Sequence, residues 1–233
     1  MLNHLQKTVC ALAVLATTSL PVLAGSIDVR VIGTIDPAAC TPTLSGGGTV
    51  DYGTIKPTAL TTDAFTVLPE KQLDFAINCD APAKVAITAH SQRGASAVKT
   101  DGTLTEIASI PGIFGSTGST ATVGLGLDGT KGIGGYAIRL AAGTMTADGV
   151  AVDSIISNSN TTSWGSTLFG NLFTSIENKR YSSWAKTGTT TPIAFTTLAG
   201  KLGVQAYINK ASELDLTKPV VLDGLTTLEL VYL

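Results

Sequence analysis

The chain has 233 residues, 44% of them hydrophobic and 14% charged, with a formal net charge of −2. That apolar fraction is ample for a buried core and excludes a disordered chain, which needs low hydrophobicity and high net charge. The near-neutral balance gives no sign of the basic stripe of a nucleic-acid binder, so no nucleic-acid partner is expected.

Residues 1–24 read as a signal peptide. Met1–Lys7 carries one Lys, Thr8–Ala16 is a compact and largely apolar run, and Val22-Leu23-Ala24 suits cleavage before Gly25. The run is too short to span a bilayer comfortably, and Pro21 interrupts its tail. Export would remove Cys10 and leave Cys40 and Cys79. An even pair in an oxidising compartment makes a disulfide the default. The intervening residues hold no His, and the spacing is not C-x-x-C, which argues against a metal or redox pair.

From Gly25 to Asp36 the chain alternates. Ile27, Val29, Val31, Gly33 and Ile35 share one face, and Ser26, Asp28, Arg30 and Thr34 the other, with Ile32 the exception. Period two predicts a strand, which Pro37 ends or pushes to a sheet edge. Short strands are also expected at Thr49–Tyr52, at Leu73–Cys79 and, after a turn at Asp80-Ala81-Pro82, at Val85–Ala89. Gly94–Thr120 reads as loop with one strand at most. Val123–Leu127, Asp128-Gly129 and Tyr136–Leu140 read as strand, turn region and strand. Val150–Ile156, Leu202–Ile208 and Leu228–Tyr232 follow as strands, and a short helix is expected near Leu168–Glu177. Many short strands with frequent turn signals predict an all-β chain, a β-sandwich, in one domain with a long middle insertion.

Catalytic signals are weak, so no enzyme activity and no catalytic residue is expected. Once the leader is removed the chain holds one His, His90, with no G-x-S-x-G elbow. His and Cys are too few for a metal site, and neither metal nor cofactor is expected. Gly124–Gly129 spells G-x-G-x-x-G, but turn formers follow where that motif needs a helix, so a hairpin is expected. Asn160-Thr161-Thr162 is an N-glycosylation sequon by letter. Trp164, Tyr181 and Trp184 suit a sandwich core better than an exposed sugar-stacking platform.

Five stretches together resemble the subunits of chaperone–usher pili. Gly33-Thr34-Ile35-Asp36-Pro37-Ala38-Ala39-Cys40 looks like the N-terminal extension that precedes the first Cys of these pilins. Val50–Ile55, Leu73–Cys79 and Gly135–Leu140 are similar to the strands that follow in that family. Leu228-Glu229-Leu230-Val231-Tyr232-Leu233 has its aromatic penultimate residue. The chain is longer than most major pilins, and the excess falls between Gly94 and Thr197.

The resemblance implies an incomplete immunoglobulin-like β-sandwich lacking its last strand. Residues 25–37 would be a donor-strand extension, with Ile27, Val29, Val31, Gly33 and Ile35 as donor positions, and residues 38–233 the pilin domain. Leu228, Leu230 and Tyr232 would line the open groove or meet a periplasmic chaperone. An outer-membrane usher and neighbouring subunits would be the other partners, with a host or surface ligand for the middle insertion. The product would be a surface fimbrium. The alternative is a secreted carbohydrate- or surface-binding module of sandwich fold.

Overall fold

The computed structural model describes residues 28–34, 38–174 and 179–233. The expected signal peptide and the donor positions Ile27 and Ile35 lie outside the described residues. Two compact units divide the chain, 1–36 and 37–233.

The larger unit is all-β. Its main strands are β1 (Cys40–Leu44), β2 (Lys71–Ala83), β3 (Val85–Ser91), β4 (Ala108–Pro111), β5 (Ser119–Gly124), β6 (Gly134–Arg139), β7 (Met145–Ala147), β8 (Val150–Asn158), β9 (Arg180–Lys186), β10 (Phe195–Ile208) and β11 (Thr226–Tyr232). They join in one antiparallel ladder of order β11-β3-β9-β8-β7-β10-β6-β5-β4, with β2 on β10 and β1 on β2. Short 3₁₀ turns are the helical pieces among the described residues. The helix expected near Leu168–Glu177 is absent over Leu168–Thr174, and Ser175–Asn178 lie outside the description. The turn expected at Asp80–Pro82 also gives way. β2 continues through it to Ala83, but its pairing with β10 is interrupted there, passing from Asn78 opposite Thr197 to Ala83 opposite Phe195.

Alternation explains which faces close on the core. Phe75 and Ile77 of β2, Val85 and Ile87 of β3, Trp184 of β9, and Leu198, Leu202 and Ala206 of β10 are buried in one cluster. Trp184 holds the two halves of the ladder together. Its ring lies 6.4 Å from Phe75 and 5.8 Å from Phe195, the latter edge-on. Aromatic pairs at these spacings add to plain area burial. Trp184 is thus a core residue, whereas Trp164 and Tyr181 are half-buried.

The middle region builds a second core, which the sequence pattern had presented as loop. Ala97, Val98, Ala108, Ile110, Ile113 and Phe114 pack on the opposite face of the ladder, against Ala137 of β6 and Tyr207 of β10. Tyr207 Oη donates to the Val98 carbonyl at 2.7 Å and accepts from the Val98 N–H at 3.2 Å. Burial pushes its phenol up to about 12. Gly132 leaves the room for this approach, since a Cβ there would lie 2.4 Å from Val98 Cγ2.

The β7–β8 hairpin shows turn chemistry that titrates. Asp148 and Gly149, at φ +48° and +80°, form its two-residue loop. An Asp-Gly pair with both φ positive matches a type I′ turn. Asp148 Oδ1 accepts from the Thr196 hydroxyl at 2.7 Å and from the Thr197 N–H at 2.8 Å, pinning the tip to β10. These bonds hold its carboxyl below the ordinary aspartate value. A depressed carboxyl stabilises the fold above its unfolded pKa of about 3.9, and that contribution is lost as pH falls through the lower folded value. Melting temperature should therefore drop less steeply below about pH 4 in Asp148→Asn than in wild type, since Asn suits the same turn. Parallel curves for the two proteins would remove Asp148 from the acid response.

Candidate functional site

Cys40 of β1 and Cys79 of β2 are directly opposed and joined, with Sγ atoms 2.03 Å apart. Closing a loop of this length is worth about 4 kcal/mol in the chain-entropy model. The bridge fixes β1 on β2, at the margin of the ladder.

Two apolar stripes lie half-open, at two separate margins of the ladder. Leu228 and Leu230 of β11 form one, and Ala38, Cys40, Leu44, Val50, Tyr52 and Ile55 the other. Both pack against the main core, yet none of these side chains is fully buried. The two stripes share no ladder among the described residues. Thr49–Lys56 turns Val50 and Tyr52 inward two residues apart and, after Gly53 at φ +64°, Ile55, but it joins no ladder, contrary to the strand expected at Thr49–Tyr52. Its anchor is Tyr52, whose hydroxyl lies 3.2 Å from both the Val204 carbonyl and the Ala206 N–H. Burial raises this phenol above its usual range. Tyr52, Ile55, Lys56, Leu68 and Lys71 border a cavity of about 540 Å³ beside this segment.

β11 has one paired edge and one bare edge. On the paired side the Leu225 carbonyl accepts from the Gln92 N–H at 2.8 Å, and the Leu233 N–H donates to the Lys84 carbonyl at 3.0 Å. Backbone direction alternates along a strand, so Thr227, Glu229 and Val231 also face β3. The backbone groups of Thr226, Leu228, Leu230 and Tyr232 therefore point the other way, where no strand is paired among the described residues. At one end the two margins meet, where the Cys40 N–H donates to Tyr232 Oη at 2.8 Å.

The other predicted element stands exposed. Asp28–Thr34 is exposed throughout, with Val29, Val31 and Ile32 at 86%, 93% and 82% exposure, and the strand expected over Gly25–Asp36 is not formed over these residues, since no partner strand among the described residues is paired with them. Gly33 sits in this segment with nothing within 4 Å of where its Cβ would be and no positive φ.

Sequence reasoning missed a partner for His90. Its Nε2 lies 3.4 Å from Glu229 Oε2 across the β3–β11 pair. Thr227 stands directly opposite His90, whose side chain is 35% exposed, so His90 and Glu229 form a diagonal cross-strand pair. Among the described residues no three His, Cys, Asp or Glu side chains gather as metal ligands would. Gly124 ends β5, and a small hairpin at Leu127–Gly132 follows, so no helix follows the G-x-G-x-x-G letters. Asn160 Oδ1 accepts from the Thr162 and Ser163 N–H groups and organises its own loop.

The motif stretches and both half-open margins lie in a chain with close sequence relatives. Protein GltF of Escherichia coli (strain K12) is 30% identical over 99% of this chain and 98% of its own length. The chain belongs to the family of Protein GltF. Uncharacterized protein YhcF of the same organism is 29% identical over 89% of this chain and 90% of its own. A family model described as "Protein of unknown function (DUF1120)" matches residues 29–137. That match starts inside the exposed segment of the GltF-family chain and carries through both cysteines to β6. No solved structure matches the chain.

Proposed function

We propose that this protein is a structural subunit of a surface pilus that polymerises by donor-strand exchange. Its larger unit is an immunoglobulin-like sandwich lacking its last strand, and the acceptor groove is the gap beside the bare edge of β11. The donor is the segment from Ile27 to Ile35 of the next copy. The observation that carries this reading is a complementary pair within one chain, a bare strand edge over half-open core and an alternating apolar segment exposed to water.

The physics is strand addition. Backbone groups of Thr226, Leu228 and Leu230 gain ladder partners, and donor side chains enter the half-open stripe. Each apolar side chain fully buried contributes about 1.5–3 kcal/mol. Donation from one copy to the next is head-to-tail, and where the rotation does not close it yields a filament. Before assembly the same bare edge is an aggregation hazard. A periplasmic chaperone that covers the edge, and an outer-membrane usher that releases it to the next subunit, complete the reading. They require export by the leader at residues 1–24.

Gly33 supports the register. Nothing in its own surroundings requires glycine, neither a turn nor a close approach. A glycine in a strand interior marks a site where another backbone comes near. Gly33→Leu is expected to abolish polymers on a native gel while leaving monomer recovery from the periplasm unchanged. Polymer yield equal to wild type would overturn the assignment of Gly33 as a donor position.

A further inference from the structure

We infer that Tyr232 is the end stop of the groove, fixing the register in which a donor strand from a second copy pairs with β11; this rests on the donor-strand reading above. A strand laid between two others needs about 4.8 Å on each side, so the margins of the groove must stand about two such spacings apart. At the Cys40 end the Tyr232 side chain occupies that space and bonds across it.

The hydrogen bond also removes the first ladder site on the far margin. The Ala39 carbonyl accepts from the Asp80 N–H at 3.0 Å, so odd-numbered residues of this stretch face β2. Cys40, Pro42 and Leu44 therefore face the groove. The Cys40 N–H is taken by Tyr232, and Pro42 has no N–H to offer. Proline at such a position is a common edge block. An incoming strand thus finds its ladder on β11, at Thr226, Leu228 and Leu230, and meets the tyrosine ring at the next site. A slip of two residues would keep every donor side chain on the correct face. The alternation alone does not forbid that slip, but the ring does.

The test is cross-linking in oligomers of the full chain. Glu229→Cys, on the face of β11 turned away from the core, is combined in turn with Asp28→Cys, Arg30→Cys, Ile32→Cys or Thr34→Cys on the donor. With Tyr232 in place one donor position should cross-link between copies. In Tyr232→Ala, and in the strand-compatible Tyr232→Thr, a second position two residues away should cross-link in comparable yield, whereas Tyr232→Phe keeps the ring and the single partner. The same single partner in the Ala and Thr variants would overturn the end stop and leave donor pairing intact. No cross-link at any position in wild-type oligomers would overturn donor pairing on β11 itself, and the end stop with it.

Discussion

Moving Ser26–Pro37 to follow Leu233 through a flexible linker should turn the protein into a monomer that melts well above the natural arrangement. β11 leads directly to Leu233, so the relocated segment can turn back and lie antiparallel along the bare edge of the same strand. It would cover Leu228 and Leu230, which are half-open, and would itself leave water, where Val29 and Val31 are now exposed. A net gain equal to two fully buried side chains, about 4 kcal/mol, corresponds to roughly 8–16 °C for a chain of this size. Thermal melting and size-exclusion chromatography of the two proteins read the result. Identical melting with unchanged oligomers would mean that the larger unit is complete as it stands, and the pilus reading would fall.

The second large effect is expected at Trp184. Its ring contacts Phe75 and Phe195 and ties β9 to β2 and β10 across the core. Truncation to Ala should cost about 3–5 kcal/mol, through lost burial and the cavity left behind. Trp184→Phe is a sharper comparison. The indole Nε1 has no hydrogen-bond partner among the described residues, so the phenyl ring removes an unsatisfied buried donor while keeping much of the packing. Its cost should stay below about 1.5 kcal/mol. Urea midpoints measure both. An Ala variant within 1 kcal/mol of wild type would show that the two halves of the ladder are held by other contacts.

Local pattern determined a good part of this protein. Strict alternation at Leu73–Cys79, Val85–Ala89, Leu202–Ile208 and Leu228–Tyr232 marked β2, β3, β10 and β11, because side chains two apart share a face and one face must be buried. Two of the three cysteines, Cys40 and Cys79, stand outside the apolar N-terminal run, and they form the expected bridge. Alternation around Val29 and Val31 predicts a strand by the same reasoning, yet none forms over Asp28–Thr34, because a strand needs a partner and alternation does not supply one.

Tertiary structure decided the rest. Asp80-Ala81-Pro82 has turn composition, and although the chain stays extended there, the β2–β10 register jumps from Asn78 opposite Thr197 to Ala83 opposite Phe195, so the break in pairing falls where the turn formers stand. Ser96–Phe114 looked like loop because its apolar residues lack a clean period, and its core exists only where Ala137 and Tyr207 supply the opposing face. His90 and Glu229 met because β3 and β11 pair, which neither segment announces alone. The bare edge of β11 is of the same kind. Which strand lies beside which depends on partners distant in the chain, whereas the alternation within a strand depends on backbone geometry two residues long. The sequence by itself determined the strictly alternating strands and the bridge, and the packing of the whole chain decided the strands of the middle region and that β11 would be left with an open side.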